Sequence, residues 1–287
     1  MHSEAGRLQQ RRTRRFRQNA SRRVTGERTA LAFVNDVGFC STFYVFPEGV
    51  PCLWEAVAGR ARPHWPRHSH HDAAIGLTWS LKDTLPAKRL VYYGKLLKGR
   101  PLLVALDVFP AFYALTRGRQ RARDYRLEYE AGRLSVTAKR LMDALMREHP
   151  QYTRELRANC FLLEPARTRE FERAMAELQQ GLWVVKTEER YEPSFSYRWD
   201  LLEAWLPEAV AEGRRQSRPA ALERLFARYL DATVLTSERI LSRLFGVSSG
   251  ETRDMVHRMV TRGALVGPRA VEGLPGAWLI HPSAHRP

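Results

Sequence analysis

The residue types that could do chemistry concentrate near position 80. The stretch TWSLKDTLP, residues 78–86, sets Trp79, Lys82 and Asp83 close together. A carboxylate beside a cation can orient water or take a proton, and a lysine can hold a phosphate. The same residues have a plainer reading, in which Asp83 or Thr84 caps a helix beginning at Pro86. Asn35 and Asp36, in FVNDVGFC, form a second polar pair near a helix end, where capping is the simplest role. The stretch RPHWPRHSHHD, residues 62–72, holds His64, His68, His70, His71 and Asp72. These are metal-ligand types, but their spacing matches no common site and two prolines mark a loop, so no metal is expected. No Ser-His-Asp order, Walker loop, GxGxxG or paired-carboxylate motif stands out, and no organic cofactor is expected. A nuclease reading lacks an acidic metal cluster.

The formal charge is +16, from 47 Lys+Arg against 31 Asp+Glu. Arginine dominates, and its planar fork suits phosphate and guanine. The alternative is a merely basic surface. RLQQRRTRRFRQNASRR, residues 7–23, has almost no apolar content and reads as a disordered arm, lying along phosphates or simply solvated. TRGRQRARDYR, residues 116–126, reads as a basic linker, and EGRRQSRP, residues 212–219, as another.

These groups need elements to position them, and one element order recurs. FERAMAELQQGLWVVK, residues 171–186, places Phe171, Ala174, Met175 and Leu178 at helical spacing, then stops at Gly181. Gly181 is expected to take a left-handed conformation. The β-prone run Leu182–Val185 follows, then a Pro-containing turn and a second aromatic strand. Upstream, Ala138, Leu141, Met142 and Leu145 mark one helix, and QYTRELRANC a short second one with Thr153 as N-cap. Helix, short helix, longer helix and two-stranded wing is the order of a winged helix-turn-helix. The aromatic residues Trp183, Tyr191, Phe195 and Trp199 of the wing are expected in the core.

The order returns in residues 219–287. Leu222, Leu225, Phe226 and Tyr229 form one apolar face. Thr236 opens a helix with Leu241 and Leu244, and Ser248 or Ser249 caps a third with Met255 and Met259. Gly263 ends it, and two strands flank a Gly/Pro-rich turn. A looser copy lies earlier. ERTALAFVNDVG is its first helix, PCLWEAVAG its second, and PAKRLVYYGKLL, ended at Gly99, its third.

No apolar run approaches the roughly 20 residues that span a bilayer, so no membrane association is expected. Cys40, Cys52 and Cys160 are an odd number without CxxC spacing, which suits a reducing compartment and a cytoplasmic protein.

The segments ALAFVNDVGFC, LWEAVAG, TWSLKDTLPAKRLVYYGKLL and DVFPAFYAL, followed by the repeated units, resemble the AlkZ/YcaQ-type DNA glycosylases over most of residues 27–282. The resemblance implies tandem winged helices clamped on double-stranded DNA. In active members, water attacks the sugar C1′ and releases bulky alkylated purines or unhooks interstrand crosslinks. The family signature is Gln-x-Gln or Gln-x-Asp soon after Leu-Gly. Here the matching stretch is VGFCSTF, with Ser41 and Phe43 in those places. The family's Trp-x-His before Leu-Pro corresponds roughly to Trp79 and the Lys82–Asp83 pair.

The expected fold class is α+β, mostly α, with tandem winged helix-turn-helix modules and short β wings. The expected organisation is a disordered basic arm (1–26), a divergent first module (27–116), a basic linker (117–133), a second winged helix (134–210), a linker (211–218) and a third winged helix (219–287). The catalytic candidates are Asp83, Lys82 and Asn35. The DNA-binding candidates are Arg167, Arg169, Arg173, Lys186, Arg253, His257, Arg258 and Arg269. Double-stranded DNA is the expected partner, and the alternative function is a non-catalytic DNA-binding or transcriptional regulatory protein.

Overall fold

The computed structural model describes residues 3–285. Helix α1 (Glu4–Arg15) comes first. The first unit follows, with α2 (Glu27–Val37), β1 (Phe39–Ser41), α3 (Leu53–Ala58), α4 (Ala73–Ala87), β2 (Val91–Lys95) and β3 (Pro101–Ala105). Helices α5 (Phe109–Thr116) and α6 (Tyr125–Glu130) lead to the second. It comprises α7 (Val136–Arg147), β4 (Gln151–Tyr152), α8 (Thr153–Asn159), α9 (Thr168–Gln180), β5 (Val184–Arg190) and β6 (Ser196–Leu201). After α10 (Leu202–Trp205) and α11 (Pro207–Arg215), the third unit runs through α12 (Arg218–Thr233), β7 (Leu235–Thr236), α13 (Glu238–Phe245) and α14 (Ser249–Thr261). It closes with β8 (Val266–Val271) and β9 (Leu274–Ile280), before α15 (Pro282–His285).

Each unit has the same order of elements, and each carries a three-stranded antiparallel sheet in which the last strand lies in the middle. Helix accounts for 56% of the structure, so a mostly helical α+β fold is what forms.

The apolar faces of the helices divide between two large cores. Phe33, Val34 and Val37 of α2 are buried in the same core as Leu222, Leu225, Phe226 and Tyr229 of α12. At its centre the Phe39 ring lies 5.4 Å from Phe112 and 6.2 Å from Phe245. The first and third units are therefore one hydrophobic body. The second unit keeps its own core, including Leu141, Met142, Leu145, Phe171, Met175, Leu178 and Trp199. It meets the first unit where α9 and β5 pack on β2 and α4. Arg117, at the end of α5, packs on the second unit, its buried guanidinium 3.0 Å from the Trp183 ring centre. Cation–π contact is worth most when the cation is desolvated, as here.

Several expectations change. The arm is not disordered from residue 4 onward. Ser3 caps α1 by accepting from the Gly6 N–H, and Arg12, Arg14 and Arg15 in its last turn complement the helix dipole. Leu8 and Phe16 are buried, and Leu8 packs with Val234, Leu235, Val271 and Ile280 of the third unit. The linker 117–133 holds α6 and the buried Tyr125, and most of the linker 211–218 is the end of α11. In the first unit, VYYGK is strand β2, paired with β3, and the third helix is α4, upstream of it. Gly181 is not left-handed, whereas Leu182 has φ 55°. Glycine is needed at 181 because a Cβ there would lie 2.7 Å from the Trp183 ring.

Candidate functional site

Asp72 starts α4, accepting from the Ile75 N–H at 2.9 Å. Ile75, Thr78, Leu81, Lys82, Leu85 and Pro86 are its buried residues. Lys82 thus occupies a helix face whose other buried side chains are apolar apart from Thr78. Asp83 lies within α4 rather than capping a later helix, because the helix passes through it and ends just after Pro86.

Lys82, 3% exposed, donates from Nζ to the Asp83 carboxylate and, at 2.8 Å, to Glu189 Oε1. Strand β5 delivers Glu189 and also Lys186, whose Nζ donates to Glu189 and lies 3.9 Å from Asp83 Oδ1. Tyr191 reaches in with its hydroxyl 3.3 Å from Asp83 Oδ2 and 3.1 Å from Glu189 Oε2. Two lysines face two carboxylates, so the formal charges cancel inside a site where an unpaired charge would be costly. The rings of Tyr93 and Tyr197 flank Lys186 at 4.9 and 5.0 Å, and Trp79 and Tyr93 flank Lys82 at 4.8 and 5.5 Å.

Burial pushes the Lys186 ammonium down to about 7, with Lys82 repelling it further and Asp83 acting the other way. A neutral amine still carries N–H bonds, so its hydrogen bond to Glu189 survives loss of the proton. Burial, reinforced by Asp83 and Tyr197, raises the Tyr93 phenol well above its usual range.

Two surfaces adjoin this cluster. On the Trp79 side, Phe43 lies 6.1, 5.8 and 5.1 Å from Trp54, Trp65 and Trp79. Trp65 and Trp79 are 49% and 47% exposed, an uncommon display for rings of that size. Ser41, at the other signature position, is fully buried with Oγ 3.3 Å from the Pro51 carbonyl oxygen. On the Lys186 side a cleft of about 420 Å³ opens between the β2–β3 hairpin and the second unit. Tyr93, Lys95, Arg157, Met175, Lys186 and Trp199 are among its walls.

The structure brings Lys82 and Asp83 together, and joins Lys186 to them rather than to a free surface. Asn35 lies elsewhere, exposed on α2, with its backbone carbonyl accepting from Arg228 of α12. Arg169 and Arg173 of α9 and Arg253, His257 and Arg258 of α14 are exposed. Arg167 is paired with Glu170 at 3.0 Å and donates to the Phe161 carbonyl at 2.9 Å, and Arg269 is paired with Glu4 of α1. In the wing, Trp183 and Trp199 are buried as expected, but Tyr191 and Phe195 are 61% and 55% exposed. Among the described residues no group of three His, Cys, Asp or Glu could hold a metal ion, the His70 side chain lying outside them. Sequence reading missed Glu189 and Tyr191, and the Phe43–Trp65–Trp79 surface. A lone tryptophan between two prolines in 62–72 was the one available signal for Trp65.

The class so defined is a mostly helical α+β chain of three like units, with a buried ionic cluster where the first two meet. Family comparison matches residues 24–246 to the family described as AlkZ related. That is most of the chain, and the chain belongs to this family, as the resemblance in its sequence implied. The membership suggests a DNA-repair glycosylase-like function in general terms. No curated protein and no solved structure matches the chain significantly. Among the described residues no helix is long and apolar enough to cross a membrane.

Proposed function

We propose that the chain binds double-stranded DNA through its three units, read as winged helices, and holds an extruded, damaged base against Trp65 and Trp79. The observation that carries this reading is the half-exposed aromatic surface beside Lys82 and Asp83, in a chain of the AlkZ-related family. Base–aromatic stacking is worth about 1–3 kcal/mol per base and tolerates any base. The exposed arginines of α9 and α14 supply phosphate contacts that hold the duplex.

In this reading Asp83 is the carboxylate that orients water toward C1′. The lysines beside it fix its direction, and Tyr191 does the same from the other oxygen. A second reading is binding without base release. It is favoured by the two signature positions, where Ser41 is sealed on the Pro51 carbonyl and Phe43 is part of the aromatic surface. Neither can activate water.

Single-turnover base release from duplexes carrying N7- or N3-alkylated purines separates the two. With hydrolysis, the wild type releases base and Asp83→Asn cuts the rate by about 10²-fold or more, the scale of a lost general base. DNA affinity stays the same or rises in that variant. Tight binding with no release selects the second reading, and absence of duplex binding refutes both.

A further inference from the structure

We propose that Lys186 is an amine nucleophile that forms an imine with an aldehyde entering the cleft between the first and second units. Given the DNA reading above, on which this substrate assignment rests, the aldehyde is the ring-opened C1′ of an abasic site.

The geometry sets Lys186 apart from the other cationic candidates. Arg169, Arg173, Arg253 and Arg258 are exposed, as a phosphate contact requires. Lys186 is instead 14% exposed at its side chain and lines a cleft of about 420 Å³. Tyr93 of β2 and Tyr197 of β6 flank it with ring faces, and Lys82 and Asp83 of α4 stand behind it. Glu189, on its own strand, accepts its hydrogen bond and also that of Tyr191. Aromatic walls and a second cation are the surroundings that release an amine from its proton. The lowered proton affinity of Lys186, to about 7, agrees with that placement. Arg157 and Lys95 add positive charge to the cleft walls, where phosphates flanking an abasic sugar would lie.

The chemistry balances without an added oxidant or reductant. The neutral Lys186 Nζ adds to the C1′ carbonyl carbon, and the carbinolamine takes up a proton from solvent as it loses water, giving a protonated imine. The acidified C2′ proton then passes to water in the cleft. The C2′–H electrons form the new double bond, and the C3′–O bond breaks, with the 3′-phosphate leaving with its electron pair. Water hydrolyses the imine and restores the lysine.

The test treats the full chain with borohydride in the presence of a duplex carrying one abasic site. Binding of a duplex with a tetrahydrofuran site, which has no aldehyde, is measured alongside. Free 2-deoxyribose 5-phosphate is the third probe. We expect a covalent protein–DNA species whose digestion places the adduct on the peptide containing Lys186. Lys186→Arg should lower its yield at least tenfold. Mapping on the wild type keeps the test decisive if that variant misfolds. An adduct on the terminal amine or another lysine overturns the proposal. So does tetrahydrofuran-duplex binding without any adduct, which leaves the DNA reading standing. An adduct of the free sugar on Lys186 without duplex binding supports the nucleophile and overturns the DNA reading. No adduct with either aldehyde overturns the nucleophile outright.

Discussion

Truncating Leu8 to alanine should destabilise the protein, although Leu8 lies in a segment whose composition is that of a solvated tail. Leu8 is 2% exposed and packs with Val234, Leu235, Val271 and Ile280, which are 4%, 9%, 3% and 0% exposed. Buried Leu→Ala changes cost about 2–5 kcal/mol, depending on how far the site collapses. This cluster is small and edged by the partly buried Ala5, Leu274 and Trp278, so it can relax, and about 2–3 kcal/mol is the expected loss. At about 2–4 °C per kcal/mol for a chain of this order, Tm should fall by about 4–12 °C. The ion pairs Arg15–Asp231 and Arg269–Glu4 contribute little, because half-exposed pairs are worth about 0–1 kcal/mol. Deleting residues 1–24 also removes the buried Phe16 and Val24, and should cost more than Leu8→Ala. The assay is thermal unfolding followed by circular dichroism, with Gln10→Ala, at an exposed position of α1, as the control. A Leu8→Ala midpoint within about 1 °C of that control would refute the packing of α1.

Lys186 should leave a signature in the pH dependence of stability. Its folded value of about 7 lies below the ordinary 10.5, so between those limits the unfolded chain binds the extra proton and stability rises with pH. Denaturant unfolding of wild type against Lys186→Met should show this rise only in the wild type, at up to about 1.4 kcal/mol per pH unit. Trp79→Ala should leave Tm nearly unchanged, since the ring is half exposed, yet weaken binding to a duplex with an extruded base by about 5- to 150-fold, measured by fluorescence anisotropy. Removing the side-chain charge of Arg253 or Arg258 should weaken duplex binding and lower the salt slope by about 0.9 for each lost phosphate contact.

The helices of the second and third units were legible because their period is strong and local. Phe171, Ala174, Met175 and Leu178 are all buried in α9, as their spacing requires. The first unit misled because Leu90, Tyr93 and Leu97 happen to fall at helical spacing. Pairing of Val91–Lys95 with Pro101–Ala105 overrides that pattern, and Val91, Tyr92 and Tyr93 are β-prone types in any case. Helix α1 was illegible for a different reason. It offers few apolar side chains, and two anchors eight positions apart look like none. They suffice because the folded units already present surfaces for them, the third unit for Leu8 and the first unit, with Phe46 and Val50, for Phe16, which is a property of the partners rather than of the segment.

The candidate site was half legible, and the division has a physical cause. Lys82 and Asp83 are adjacent, so sequence puts them together. Lys186 and Glu189 of a strand over a hundred positions away, and Tyr191 just after it, join them only when β5 packs on α4. That packing does not explain why the meeting point is ionic. Buried ion pairs contribute little net stability against well-packed apolar side chains, whereas removing one partner is strongly destabilising. A leucine at 82 would satisfy the inward face of α4 with fewer constraints, since Ile75, Leu81 and Leu85 already line it. Retaining two lysines and two acids there breaks the local rule, and rule-breaking is what a functional site imposes on a fold. Beside the cluster the chain also leaves Trp65 and Trp79 half exposed. Two departures from stable packing in one place, one electrostatic and one apolar, argue for a ligand with charged and aromatic parts, and a nucleotide has both.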